Sequence, residues 1–180
     1  MLKQHGFTLV ELMVAVALLG LLLSMAVPAL DQFTTNARQT GAINDFVASM
    51  HMARSTAVTT NSRVTVCAST NQRNCEAVPW DQGWIAFTDP NNNGFVDGND
   101  AVVAASQGID GLAIASGEFG LSLQYRPSGR IVNAGANGTA GQFTVCDDRG
   151  DEYAKVLIID LSGRPRVSKY MADGSAPDCV

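Results

Sequence analysis

The chain begins Met1-Leu-Lys-Gln-His-Gly6 and continues Phe7-Thr-Leu-Val-Glu-Leu-Met-Val14. The first six residues carry Lys3 and end at a glycine, and the apolar run behind them carries one carboxylate, Glu11, near its front. A secretory signal peptide has its small-residue cleavage site after the apolar region. Here the candidate cleavage site, after Gly6, comes before that region, so the apolar helix would remain on the mature protein.

The apolar run is long enough to cross a membrane. Residues 7–30 would form a helix about 36 Å long, and the hydrocarbon core of a bilayer is about 30 Å thick. The sequence therefore predicts a leader at residues 1–6, a transmembrane segment at 7–30 and a head domain at 31–180.

This N-terminus resembles that of type IV prepilins. The resemblance implies cleavage after Gly6 by a prepilin peptidase and methylation of the new N-terminal residue, Phe7. It also implies that Glu11 pairs with the amine of Phe7, in its own or a neighbouring subunit, during assembly. Such pairing would offset the roughly 2.5–3.5 kcal/mol that a carboxylate costs within an apolar helix. The alternative is an ordinary membrane anchor with Glu11 at headgroup depth.

Charge is unevenly distributed along the chain. The net charge is −5, and residues 7–121 hold four basic and ten acidic side chains, whereas residues 122–180 hold seven of each. The overall field opposes polyanion binding, so any such binding requires a local basic patch.

Four cysteines, Cys67, Cys75, Cys146 and Cys179, allow three pairings. An anchored head outside the inner membrane would lie where disulfides persist. We favour Cys67–Cys75 and Cys146–Cys179, each contributing roughly 2–4 kcal/mol. Zinc is disfavoured, because no Cys-x-x-Cys pair is present and His51 is the only histidine after the leader.

Two periodicities predict an α+β fold with a long N-terminal helix packed on an antiparallel β-rich head. Apolar residues at three- and four-residue steps continue the helix to about Thr60, and we place His51 on the packed face. Alternating runs then predict seven strands. The helical stripe comprises Ile43, Phe46, Val47, Met50, Ala53 and Ala57, and the strands are 63–69, 83–88, 100–105, 121–126, 142–146, 155–161 and 164–170.

Four further motifs resemble the GspH/FimT family of minor pilins and pseudopilins. They are Ala53-Arg54-Ser55-x-Ala57-Val58, Arg63-Val-Thr-Val-Cys67, Gly83-Trp84-Ile-Ala-Phe87-x-Asp89 and Gly163-Arg164-Pro165-Arg166. The resemblance implies a pilin-like fold, a single-pass inner-membrane anchor, a periplasmic head, and a low-abundance filament subunit at the tip that assembles with major and minor pilins. Two cysteine pairs and the last motif favour the FimT/FimU pilus branch. The alternative is a minor pseudopilin of type II secretion that does not bind DNA.

The tetrapeptide Gly163-Arg164-Pro165-Arg166 is the candidate DNA-binding motif. In an extended strand its two arginines would share one face about 6.6 Å apart, close to the spacing of two nucleotides along one strand. Pro165 lacks a backbone donor, which indicates an edge strand. In the FimT branch this motif is the proposed DNA contact for uptake during natural transformation.

Some neighbouring charges support DNA binding at this motif and others oppose it. Lys169 belongs to the candidate DNA site, and Arg130, Arg149 and Lys155 could widen it. Against it stand four acidic residues, Asp147, Asp148, Asp151 and Glu152, and a second Gly-Arg turn in Ser128-Gly129-Arg130. Arginines on a solvated strand are the ordinary alternative.

A third motif resembles a calcium-binding EF-hand loop. Its oxygen ligands would be Asp89, Asn91, Asn93, Asp97 and Asp100, with Gly94 at the sixth position. Asp100 is shorter than the usual bidentate glutamate, and no flanking helices are predicted. Asn- and Asp-rich hairpin turns need no metal. We therefore expect a protein without a cofactor, with calcium binding at this loop as the alternative.

The sequence indicates no enzyme, because it lacks a Ser-His-Asp set, a Cys-His set and a phosphate-binding glycine loop. Trp80 and Trp84 could stack on bases, but we expect them to pack in the core.

Overall fold

The computed structural model describes residues 8–133 and 140–179, which excludes Gly6 and Phe7. The chain forms two compact units, residues 1–40 and 41–180. The α+β fold predicted from the sequence is confirmed: one long helix and two antiparallel sheets.

Helix α1 spans Leu9–Thr59. At its start the backbone N–H of Glu11 donates to the Thr8 hydroxyl at 3.2 Å, which satisfies one of the unpaired amides of the first turn. At its end Asn61 adopts a left-handed φ of 50°, and Ser62 N–H donates to the Ala57 carbonyl at 3.2 Å. That is the pattern of a Schellman motif. By length and composition, α1 could cross a membrane.

Within the second unit, α1 buries the predicted apolar stripe. Five of its six residues are at most 6% exposed, namely Ile43, Phe46, Met50, Ala53 and Ala57. His51 is exposed, so its placement on the packed face was wrong. It follows Met50 directly, and a step of about 100° around the helix turns it away from the stripe.

The head contains a five-stranded and a four-stranded antiparallel sheet. The first has the order β3-β2-β1-β5-β6 and the second β4-β7-β8-β9. Their bounds are β1 Val64–Ala68, β2 Gly83–Thr88, β3 Val102–Gln107, β4 Leu112–Ala115, β5 Ser122–Tyr125, β6 Ile131–Asn133, β7 Gly141–Asp147, β8 Lys155–Ile159 and β9 Pro165–Ser168.

Two of these strands were not predicted. Strands β4 and β6 have four and three residues. Runs this short do not establish an alternating pattern, and they form because longer strands lie beside them. Strand β4 pairs with β7, and β6 pairs with β5.

An aromatic cluster joins the helix to both sheets. The ring centroid of Phe46 lies 4.6 Å from that of Trp84 in β2 and 4.8 Å from that of Phe143 in β7. Trp80 Nε1 donates to the Gly120 carbonyl at 2.6 Å, and Trp84 Nε1 donates to the Ser49 hydroxyl at 3.0 Å. Both tryptophans are at most 2% exposed, which confirms that they pack in the core.

Two disulfides close the head, and their pairing is the one favoured from the sequence. Cys67–Cys75 closes a short loop after β1, and Cys146–Cys179 joins β7 to the C-terminal segment. All four cysteines are paired.

Replacing Phe46 with alanine should destabilise the head strongly. The substitution removes a ring that is 1% exposed and contacts three other aromatic rings, and the resulting cavity should cost about 3–5 kcal/mol. Denaturant unfolding of the full chain in detergent measures the change. Phe33→Ala removes a phenylalanine of the same helix that is 68% exposed and serves as the control. An equal loss in both variants would contradict this account of the core.

Candidate nucleic-acid interface

Glu11, the candidate assembly residue, is exposed on the first turn of α1. Its backbone amide donates to the Thr8 hydroxyl at 3.2 Å. Because Gly6 and Phe7 lie outside the described residues, the cleavage, methylation and pairing roles stay predictions.

The tetrapeptide Gly163–Arg166 lies at the entry to β9. This strand is at an edge of the four-stranded sheet and pairs with β8, with Arg166 opposite Ile158 and Pro165 opposite Ile159. The edge position inferred from Pro165 is therefore confirmed. Arg164 and Arg166 are exposed, as is Lys169 just after the strand.

A tight turn presents Arg164. Gly163 N–H donates to the Asp160 carbonyl at 2.9 Å, and Gly163 has a φ of 75°. The Asp160 carboxylate accepts hydrogen bonds from the Ser162 hydroxyl at 2.5 Å and the Ser162 amide at 2.8 Å. The hydroxyl bond, aided by the Arg164 and Ser162 amides, lowers the pKa of Asp160 below its ordinary value. At neutral pH this carboxylate is ionised and opposes the charge of Arg164.

Gly163 is required by packing as well as by its backbone angle. A Cβ at this position would lie 2.2 Å from the Gly129 carbonyl oxygen and 2.9 Å from Cε1 of Tyr125. The contact with Gly129 is to backbone, which cannot swing aside as a flexible side chain could. The glycine of the tetrapeptide is thus structural, whereas its arginines are on the surface.

The Gly129 in this contact belongs to the second Gly-Arg turn, which connects β5 to β6. Gly129 N–H donates to the Arg126 carbonyl at 2.8 Å, and Arg126 N–H donates to the Arg130 carbonyl at 2.8 Å. Gly129 has a φ of 74°, and both arginines are exposed. The two turns belong to different sheets, and they contact each other through Gly129 and Gly163.

Arg54 of α1 joins the two turns. Its Nε donates to the Gly129 carbonyl at 3.0 Å and to the Ser162 carbonyl at 3.2 Å. A Cβ on Gly129 would lie 3.2 Å from Nε and Nη2 of Arg54. The half-buried guanidinium thus packs against one turn while bonding to both.

Tyr125 lies buried beneath the contact between the two turns. It is fully buried, and its hydroxyl is the one buried side-chain oxygen without a hydrogen-bond partner in residues 8–133 and 140–179. Burial raises the pKa of Tyr125, while the nearby charge of Arg54 opposes the rise. The tyrosine therefore stays neutral and adds no negative charge beside Arg54.

Arg149, a cation that could widen the basic patch, is engaged elsewhere. Its Nη2 lies 2.6 Å from the buried carboxylate of Asp147, and its guanidinium stacks 4.2 Å from the centre of the Tyr153 ring. The Asp147 bond holds Arg149 fixed and raises its pKa. Lys155 is half-buried on β8. Of the cations that could widen the patch, Arg130 is the one that lies on a turn contacting the tetrapeptide.

A polar cavity of about 390 Å³ lies beside Arg126. Arg63 also lines it, and Arg63 Nη1 donates to the Gln124 side chain at 2.5 Å. Arg63, just before β1, and Arg126 of the second Gly-Arg turn therefore border one cavity.

The loop of the calcium hypothesis is held by its own hydrogen bonds. Asp89 is buried and accepts from the Thr65 hydroxyl at 2.7 Å and from the Asn93 and Gly94 amides at 3.0 and 3.1 Å. The side-chain amide of Asn93 donates to Asp97, which also accepts from Asn91 at 3.4 Å. Asp100 accepts from the Asp97 backbone amide at 3.1 Å.

The Asp89 carboxylate is thus bonded to Thr65 and to the loop backbone, whereas the exposed side chains of Asn91 and Asn93 bond to Asp97. In the part of the chain that the structure describes, no group of three or more His, Cys, Asp or Glu side chains could hold a metal ion. Calcium binding at this loop stays a prediction from the sequence.

Sequence reasoning missed Arg54 and Arg126 as parts of the site. A signal was present, because Arg126-Pro-Ser-Gly-Arg130 and Ser162-Gly-Arg-Pro-Arg166 both contain Ser-Gly-Arg and a proline beside an arginine. The contact between the two segments was not readable, since they are far apart in the chain and belong to different sheets.

Two family models match the chain. The model described as Type II transport protein GspH matches residues 42–163, and the prokaryotic N-terminal methylation motif matches residues 1–27. The first covers most of the head, and the second covers the leader motif and much of the apolar segment.

A curated relative matches nearly the whole chain. The type IV major fimbrial protein FimA of Dichelobacter nodosus is 27% identical over 174 residues, which is 96% of this chain and 84% of that protein.

Solved structures share the fold at low sequence identity. The type IV minor pilin FimU of Pseudomonas aeruginosa superposes with a TM-score of 0.59 at 20% identity, over 82% of this chain and 99% of that chain. A second crystal form of FimU gives 0.56 at 19% identity over 78% and 99%. The minor pseudopilin EpsH of Vibrio cholerae gives 0.48 at 12% identity over 73% and 96%. The similarity to FimU confirms the predicted pilin-like fold.

Substituting Gly163 with alanine should cost more stability than substituting Gly150. Both glycines have positive φ, at 75° and 86°, but a Cβ on Gly150 meets nothing within 4 Å. Gly150→Ala should lose roughly 1–2 kcal/mol from backbone strain alone. Gly163→Ala should lose roughly 1–3 kcal/mol more through overlap with Gly129. Denaturant unfolding compares them, and equal losses would refute the close contact between the turns.

Proposed function

Because this chain belongs to the Type II transport protein GspH family and carries the N-terminal methylation motif, we propose that it is a minor type IV pilin that binds double-stranded DNA. Its family and fold are those of structural pilins and pseudopilins, which assemble with other pilins in filaments, and not of known enzymes. The N-terminal apolar helix and leader motif fit a membrane-anchored pilin.

The finer steps of this proposal follow the N-terminal motif. A prepilin peptidase cleaves after Gly6, and residues 7–30 hold the subunit in the inner membrane as a single pass with its head in the periplasm. Glu11 then pairs with the methylated amine of Phe7 as the subunit joins major and minor pilins, and the head lies at the pilus tip. There it captures DNA during natural transformation.

Two exposed arginines at the start of an edge strand carry the DNA proposal. Arg164 and Arg166 are exposed, and among the described residues neither guanidinium makes a hydrogen bond or an ion pair within 4 Å. Guanidinium groups bind phosphate oxygens well because their planar donors fit two oxygens at once. An edge strand leaves space for a long polymer to lie along it.

Binding of this kind should be weak and salt-dependent. The net charge of −5 opposes approach of DNA, so attraction arises only near the arginines. Each phosphate contact releases counterions, and the affinity therefore falls steeply as salt rises. Several subunits or a filament would be needed to hold DNA against physiological salt.

A second candidate is a minor pseudopilin of a type II secretion system. The match of the GspH model to residues 42–163 supports it. In that case the head contacts other tip subunits or secreted cargo, and the arginines serve protein contacts or solubility. DNA binding distinguishes the two candidates.

The double variant Arg164→Ala/Arg166→Ala should lose most DNA affinity. Removal of two phosphate contacts should lower the salt slope of log K by about 2 and weaken binding at 50 mM salt by roughly tenfold or more. Fluorescence anisotropy of the full chain in detergent with random-sequence double-stranded DNA, at 50 to 200 mM salt, measures both quantities.

The control is Arg38→Ala/Arg73→Ala, which removes the same charge from two exposed arginines elsewhere. It should bind nearly as the unmodified protein does. No binding by the unmodified protein at 50 mM salt would remove the DNA proposal and favour the pseudopilin.

Glu11→Ala should insert in the membrane but enter filaments poorly, because the carboxylate that would pair with the Phe7 amine is lost. Membrane fractionation measures insertion, and detection in sheared filaments measures assembly. Ser24→Ala removes another polar side chain from the same helix, one bonded to the Leu21 carbonyl, and should assemble normally. Unchanged filament entry of the Glu11 variant would disprove the assembly role.

A further inference from the structure

We propose that the Arg126–Arg130 turn is part of the same DNA-binding surface as the tetrapeptide. The surface then presents four arginines, Arg126, Arg130, Arg164 and Arg166, as one unit. This inference rests on the proposed DNA binding and assigns a second turn to it.

The two turns have the same local geometry. In each, a glycine with φ near 75° donates its N–H to the carbonyl three residues earlier, at 2.8 Å for Gly129 and 2.9 Å for Gly163. In each, the residue directly after this glycine is an exposed arginine, Arg130 or Arg164. Arg130 and Arg164 therefore occupy equivalent positions in two turns of the same backbone geometry.

The turns are in direct contact, which keeps these arginines close together. A Cβ on Gly163 would come within 2.2 Å of the Gly129 carbonyl oxygen. Arg130 follows Gly129 directly, and Arg164 follows Gly163 directly. This glycine–glycine contact therefore holds the backbone positions of Arg130 and Arg164 close together.

Arg54 fixes the arrangement and adds charge to it. It donates to the carbonyls of Gly129 and Ser162 at 3.0 and 3.2 Å. Because its partners are neutral carbonyls, the positive charge is not cancelled by an ion pair and adds to the field of the four surface arginines. One N–H, that of Nε, is shared between the two carbonyls, so the guanidinium lies where the two turns meet.

Concentrated positive charge of this kind is suited to a polyanion. Like charges placed close together destabilise the unbound protein, and phosphates would relieve that repulsion. Two carboxylates lie close to this surface: Asp160 acts on Arg164, and both Asp160 and Glu118 line a cavity with Arg166. Among residues 8–133 and 140–179, the guanidinium groups of Arg126, Arg130, Arg164 and Arg166 make no hydrogen bond and no ion pair within 4 Å.

The test compares paired variants of the full chain in detergent micelles. Binding of random-sequence double-stranded DNA is measured by fluorescence anisotropy as a function of salt. The variants are Arg126→Ala/Arg130→Ala, Arg164→Ala/Arg166→Ala, the combination of all four, and the charge-preserving Arg126→Lys/Arg130→Lys. Arg38→Ala/Arg73→Ala is the matched control, and thermal unfolding verifies that each variant is folded.

If both turns bind DNA, each alanine pair should lower the slope of log K against log salt by about 2. Affinity at 50 mM salt should fall roughly tenfold or more for either pair, and the fourfold variant should not bind detectably. The lysine pair should keep the slope, since lysine still neutralises a phosphate, while losing part of the affinity.

The inference is overturned if Arg126→Ala/Arg130→Ala binds as the control does while Arg164→Ala/Arg166→Ala loses binding. That result would leave the proposed function intact with a site confined to the tetrapeptide. Absence of binding by the unmodified protein at 50 mM salt would instead overturn the proposed function, and this inference with it.

Discussion

Burial of one helical stripe against both sheets is the constraint on which the head depends. Phe46 is the centre of that contact, since its ring lies within 5 Å of an aromatic ring from each sheet. The sheets are not hydrogen-bonded to one another in the described strand order, so their relative placement is set by what they pack on. Arg54 immediately follows Ala53 of this stripe. The same helix thus sets both the core and the junction of the two turns.

Much of the fold could be predicted because its signals are local and periodic. The stripe through Ile43, Phe46 and Met50 repeats at helical steps, and strands such as β2 are short apolar runs bounded by turn residues. The short strands β4 and β6 escaped because their stability comes from neighbouring strands rather than from their own residues. His51 was placed on the packed face, although it lies one residue beyond the stripe. Histidine occurs on both buried and exposed faces, so the pattern of apolar residues did not show which face it occupies.

The candidate site was predictable only in part. Pro165 indicated an edge strand and an exposed arginine pair, because the loss of a backbone donor is a property of the residue itself. The meeting of Gly129 with Gly163 depends on how two sheets pack, and no single segment carries that information. Arg149 was misjudged for a local reason. Its charge suggested a free surface cation, but it forms an ion pair with Asp147, two residues earlier in the chain. Composition indicates how many cations exist, but packing decides which of them remain available.

The Cys146–Cys179 disulfide has a mechanical consequence. It closes a covalent ring over a sequence separation of 33 residues, and β8, β9 and the tetrapeptide all lie inside it. Tension applied at Arg164 or Arg166 therefore reaches β7 along two covalent routes, one through β8 and one through the C-terminal segment. If β9 separates from β8, the chain can lengthen only by the part of the 146–179 segment that lies within the covalent ring. Under such tension the ring would thus extend by a limited length before the force passed to the rest of the head.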